Sequence, residues 1–156
     1  MNRFRLKTHR RRAANVPFDS AIQFVLEREG GYVNDPADPG GETNMGISKR
    51  AYPNEDIKNL TVERAKALYH RDYWLAAGCD ALSPPLDLIV LDTAVNMGVG
   101  RARQFLGQTQ DPEDYLWLRL DWYRQIVKNR PASGKFLPGW VFRLILLRRL
   151  AMGTNP

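Results

Sequence analysis

The stretch from Asn34 to Gly46, NDPADPGGETNMG, constrains this chain more than any other part of it. It holds three glycines and two prolines among Asp, Asn and Thr. Proline removes a backbone donor and fixes φ, and glycine loses the most conformational freedom on ordering, so no packed helix persists here. The composition is that of tight turns or a short irregular hairpin. Strand signals are scarce elsewhere, and there is no internal repeat or low-complexity run. The sequence therefore predicts a mainly α fold with a small β or turn-rich lobe near residues 32–47.

The flanking segments carry the period of amphipathic helices. From Phe18, the residues Ala21, Ile22, Val25 and Leu26 share one face, and Gly30 and Gly31 stop the helix just after Glu29. Thr61 is placed to cap a helix through Tyr73, with Val62, Ala65, Leu68, Tyr69 and Tyr73 at intervals of three and four. Pro84 and Pro85 precede a more apolar helix, Leu86 to Met97, expected to run through the core, and Gly98 and Gly100 separate it from a short segment, Arg101 to Leu106. Asp111, Pro112 and Asp114 form a start signal for a helix to Lys128. A last amphipathic segment, Gly139 to Met152, sets Trp140, Val141, Leu144, Ile145 and Leu147 against Arg143, Arg148 and Arg149, and is expected to pack on the core.

The formal charge of +6 is confined to one end. Arg3, Arg5, Lys7, Arg10, Arg11 and Arg12 precede the first acid, Asp19, and removing these six leaves 17 Lys and Arg against 17 Asp and Glu. The body lacks the basic footprint of a duplex binder, which argues against a nucleic-acid partner. Residues 1–16 read as a basic, disordered arm with attraction for anionic envelope polymers or membrane surfaces, and residues 17–156 as a single domain. No apolar run of signal-peptide length follows the basic start, and no stretch approaches the ~20 residues of a membrane span. The expected location is the cytoplasm. The single cysteine, Cys79, excludes an internal disulfide and reads as a small buried thiol. His9 and His70 are too few and too far apart for a metal site or a serine triad. No cofactor is implied.

Glycosidic cleavage needs a carboxylic acid that stays protonated near neutral pH, and Glu29, at a helix end beside two glycines, suits close approach by a sugar chain. The negative helix dipole at that end disfavours an acid, so Glu29 breaks a local rule without visible gain. A partner across the bond could come from Asp38 or Thr43 on the following loop. Other readings stand beside these: Asp35 and Asp38 as turn formers bonding their own backbone, and Glu29 as a solvated helix-end acid. A calcium loop and a phosphate loop are set aside, the first because Pro36 and Pro39 interrupt it, the second because it lacks the lysine.

The segment Glu29-Gly30-Gly31-Tyr32-Val33-Asn34-Asp35-Pro36, followed by Asp38-Pro39-Gly40-Gly41-Glu42-Thr43 and Gly46-Ile47-Ser48, resembles the signature of glycoside hydrolase family 108. The likeness continues through Ala65, Tyr69, Asp72-Tyr73-Trp74 and Cys79-Asp80 to the run from Asp92 to Gly98. By that resemblance the chain is a phage-type N-acetylmuramidase with a lysozyme-like helical domain. It would cut the β-1,4 link between N-acetylmuramic acid and N-acetylglucosamine in peptidoglycan, with Glu29 as the catalytic acid. The order Glu, Asp, Thr is also similar to that of phage lysozymes, which implies that Asp38 and Thr43 place the attacking water. Tyr32, Tyr73, Trp74 and Asn96 are candidate groove residues for sugar stacking and N-acetyl recognition. Residues 86–156 resemble a truncated peptidoglycan-binding-like region, because the stretch after Leu106 is short where family members carry a longer insert.

The resemblance implies an endolysin, kept in the cytoplasm of an infected bacterium until a holin releases it, monomeric, with glycan strands as its partner. Three alternatives remain at this level. They are a lytic transglycosylase using Glu29 without an activated water, a noncatalytic wall-binding protein, and a membrane-active protein acting through its arm and the segment Trp140 to Leu150.

Overall fold

The computed structural model describes residues 16–34 and 41–153. The arm expected over residues 1–16 lies outside them, except for Val16, which opens the first helix. Asp35 and Asp38 also lie outside the described residues. The elements run α1 (Val16–Glu29), β1 (Thr43–Asn44), β2 (Ile47–Ser48), α2 (Val62–Tyr69), α3 (Leu86–Met97), α4 (Val99–Leu106), α5 (Pro112–Asn129) and α6 (Leu137–Ala151). The fold is mainly α, a lysozyme-like helical domain with a small β lobe. No helix of the described residues is long and apolar enough to cross a membrane.

The helix boundaries follow local chemistry. Thr61 caps α2, its side chain accepting from Arg64 N, and Asp111 caps α5, accepting from Glu113 N and Asp114 N. Gly30, at φ 73°, supplies the left-handed residue that ends α1. The segment expected to continue α2 to Tyr73 instead widens into a π-helix over His70–Leu75. In the lobe, β1 and β2 pair antiparallel, Thr43 opposite Ser48 and Asn44 opposite Ile47. Met45 and Gly46 form the two-residue turn between them, both with positive φ, as a hairpin of right-handed twist requires. An isolated bridge between Val33 and Thr43 ties the lobe back to the end of α1.

Helix α3 runs through the core, with Ile89, Val90, Leu91 and Ala94 fully enclosed between α1 and the later helices. Cys79 is buried beneath it, and burial pushes its thiol up to about 12.

The last helix departs from expectation in two ways. Only Leu144 and Leu147 are buried, while Ile145, Phe142 and Leu150 stay exposed, so the apolar face of α6 is half covered. Arg143, assigned by periodicity to the outer polar side, turns inward to an acid on α3.

Candidate active site

Glu29 ends α1 where three other elements converge. From the lobe, the Gly46 turn presses against it so closely that a Cβ at residue 46 would lie 2.9 Å from Glu29 Oε2 and would run into the Tyr69 hydroxyl. From α2, Tyr69 donates to Met45 O at 2.9 Å, pinning the turn to the helical body. Burial, and next the charge of Glu29, hold the Tyr69 hydroxyl far above its ordinary range, so it remains a donor. From α6, Arg143 places Nη1 and Nη2 3.4 and 3.3 Å from Glu29 Oε1. The Glu29 side chain keeps 23% of its surface exposed, open enough to meet a ligand.

Arg143 answers the local rule that Glu29 breaks. An acid at a helix C-terminus sits in the negative end of the dipole, and a guanidinium delivered there offsets it. Arg143 is itself held by Asp92 of α3, whose Oδ1 accepts from Nε at 3.0 Å and Nη2 at 2.7 Å. The other oxygen of Asp92 accepts from Arg119 Nη1 at 2.6 Å, and both of those side chains are 0% exposed. Burial pushes the Asp92 carboxyl up, but the cations of Arg119 and Arg143 outweigh it and hold the group below the usual carboxylate range. Arg119 also reaches Thr93 Oγ1 and the Tyr123 hydroxyl, and Tyr123 in turn donates to Asn96 Oδ1 at 2.9 Å.

Of the residues singled out from sequence, Glu29 sits at this junction and Asp38 lies outside the described residues. Thr43 is in β1, half-buried, its hydroxyl 3.5 Å from Gly41 O within its own lobe. Tyr32 is on the lobe surface and donates to Glu42 Oε2 at 3.0 Å. Tyr73 lies against Tyr69, ring centroids 5.4 Å apart, which places it one ring away from the Glu29 junction. Asn96 is exposed at the end of α3.

Trp74 is a correction. It is 1% exposed and packs edge-on against Phe18 at 5.4 Å, so its ring belongs to the core and has no face for a sugar. The π-helical turn carries it inward. Sequence reasoning missed Arg143, Asp92, Arg119 and Tyr69. A signal existed for two of them: Asp92 interrupts an otherwise apolar helix and Arg119 sits among Tyr, Leu and Trp, the pattern of a buried pair. Among the described residues no cluster of His, Cys, Asp and Glu is grouped as a metal site would require.

The fold, with its helical body, small lobe and helix-end glutamate between them, is that of a lysozyme-like glycoside hydrolase, a glycosidase acting on peptidoglycan. Residues 22–98 match the family described as Glycosyl hydrolase 108. The solved structure of Brucella abortus SagA is similar, with a TM-score of 0.71 and 27% identity over 90% of this chain and 96% of that one. No curated protein matches the chain.

Proposed function

We propose that the protein is an N-acetylmuramidase that hydrolyses the β-1,4 bond between N-acetylmuramic acid and N-acetylglucosamine, with Glu29 as the general acid. The observation carrying this reading is the convergence of α1, the Gly46 turn, Tyr69 and Arg143 on one partly open carboxyl group. Glu29 delivers a proton to the glycosidic oxygen as the bond from that oxygen to the anomeric carbon breaks, and the leaving sugar departs as an alcohol. Asp38 and Thr43 orient the water that adds to the anomeric carbon from the opposite face, its proton passing to Asp38. That route inverts the anomeric centre and calls for carboxyl groups roughly 6.5–9.5 Å apart. Tyr32, Tyr73 and Asn96 contact the glycan along the groove.

The cleavage serves lysis of an infected bacterium as a phage endolysin, acting on the wall after release from the cytoplasm. The acid-free basic composition of residues 1–15 supports a role for the arm in drawing the enzyme to anionic envelope polymers.

The test is turbidity loss of outer-membrane-stripped bacterial cells with wild type and Glu29→Gln, each verified as folded by circular dichroism. The expected result is a fall in lysis rate of about a hundredfold or more in Glu29→Gln. Equal lysis by the two proteins would overturn the assignment. Mass spectrometry of the products adds the reaction type: a reducing end carrying water supports hydrolysis, and an anhydro sugar would make the protein a transglycosylase.

A further inference from the structure

Helix α6 is apolar on both sides. A surface helix sets one apolar stripe against the core and a polar face toward water. In α6 the inner stripe is filled by Leu144 and Leu147, which are buried. On the outer side Phe142 and Ile145, three residues apart, are 61% and 49% exposed. Across the seam with α5, Trp117 is 65% exposed. An apolar groove of about 330 Å³ runs between the two helices, lined by Leu116, Leu120 and Leu144 together with Trp117 and Ile145. Its polar members, Glu113 and Arg148, bond to each other at 2.6 Å. The groove therefore suits a hydrocarbon chain and not a sugar, whose hydroxyls would lose their water partners there.

Charge narrows what can cover this face. Asp121 is the last acid in the sequence, and residues 122–156 hold seven Lys and Arg and no acid. The balanced charge of the folded body thus conceals a polarity, with every acid before α6. The nearest acids on α5, Glu113 and Asp121, are paired with Arg148 and Arg124, and Asp114, a turn before Trp117, marks the edge of the face. Arg143 is engaged by Asp92, whereas Arg149 enters no ion pair among the described residues. Arg149 follows Ile145 by four residues and Phe142 by seven, so it stands on their strip. A second copy would bring two acid-free helices together, and the basic residues 1–15 carry the same sign, so like charge opposes both occupants. An anionic lipid surface meets both features, taking apolar side chains into its acyl boundary while a guanidinium reaches the phosphates. Helix α6 has 15 residues and is about 22 Å long, shorter than a hydrocarbon core of ~30 Å, so it would lie along a bilayer and not cross it.

We propose that the outer face of α6, with Trp117 and the groove beside it, seats the protein on an anionic phospholipid bilayer. Phe142, Ile145 and Trp117 enter the acyl boundary, and Arg149 binds a lipid phosphate. The surface uses none of the residues at the Glu29 junction, and the inference does not rest on the glycosidase reading.

The experiment is co-sedimentation of the full chain with vesicles of equal parts phosphatidylglycerol and phosphatidylethanolamine, and with phosphatidylcholine vesicles as the neutral comparison. It takes wild type, the double variant Phe142→Ser with Ile145→Ser, and Arg149→Gln, each checked for an unchanged melting temperature. Wild type binds the anionic vesicles and not the neutral ones. The double variant binds about tenfold more weakly, as loss of two partly inserted apolar side chains implies. Arg149→Gln binds about fivefold more weakly, the effect of one cation near a lipid surface. Residues 1–15 are the same in every variant, so their charge cannot produce these differences. Equal binding by all three proteins would overturn the proposal and leave that basic segment as the attraction, and so would wild type that binds no anionic vesicle. A dimer in analytical ultracentrifugation that dissociates in the double variant would assign the face to a second copy instead. If the double variant fails to fold, Arg149→Gln, an exposed change, carries the test alone. Glu29→Gln should bind vesicles as wild type does, so failure of membrane seating and failure of the glycosidase reading are told apart.

Discussion

Substituting Asp92 by asparagine removes one negative charge from a place where two arginines depend on it. Arg119 and Asp92 are both 0% exposed and 2.6 Å apart, and Arg143 is only 16% exposed. In Asp92→Asn the Arg119 cation keeps Tyr123 and Thr93 as neutral partners and has no counter-charge within the core. Breaking a buried pair on one side costs about 3–5 kcal/mol, chiefly because the other charge is left desolvated and unpaired. At roughly 2–4 °C per kcal/mol for a domain of this size, the melting temperature should fall by about 6–20 °C. The surface pair of Arg148 with Glu113, 2.6 Å apart with both side chains more than 40% exposed, provides the control. Water and ions screen that pair, so Glu113→Gln should lower the melting temperature far less than Asp92→Asn does. Thermal and urea unfolding followed by circular dichroism measure both. If Asp92→Asn loses no more stability than Glu113→Gln, the buried cluster does not hold α3, α5 and α6 together in the way described.

The same carboxyl gives a pH dependence. Its pKa is lowered in the folded protein relative to about 3.9 in the unfolded chain, so its contribution is complete above that value and is lost as pH falls below it. The stability difference between wild type and Asp92→Asn, followed by urea unfolding from pH 6 downward, should hold steady to about pH 4 and then shrink; a difference that grows on acidification would contradict the assigned sign. Gly46→Ala should cost more than about 1 kcal/mol, because alanine is strained at φ 75° and its Cβ would meet Glu29 and Tyr69. Cell-wall cleavage per folded molecule should fall with it, since relief of the clash moves the Glu29 carboxyl; full specific activity in a folded Gly46→Ala protein would refute that close approach.

Where the sequence was legible, the chemistry was local. Asp111 and Thr61 act within three residues of themselves, so their capping roles could be read without knowing the fold. The apolar run from Leu86 to Met97 could only be a core helix, and the glycines and prolines after Glu29 could only form a turn-rich lobe. Glu29 itself stood out as an acid at the wrong end of a helix next to two glycines.

The surroundings of Glu29 were another matter. Periodicity places Arg143 among the residues of α6 but does not say which face of α6 meets α3, and its partner Glu29 is 114 positions earlier in the chain. Trp74 shows the same limit in reverse: one widened turn over His70–Leu75 rotates a candidate sugar platform into the core. Helix period, caps and turns are decided by interactions across three or four residues, and the sequence by itself determined those. Which charge faces which depends on how the helices dock, a choice made by the summed burial of α3 against its neighbours, and only the tertiary structure brought Asp92, Arg119 and Arg143 together behind Glu29.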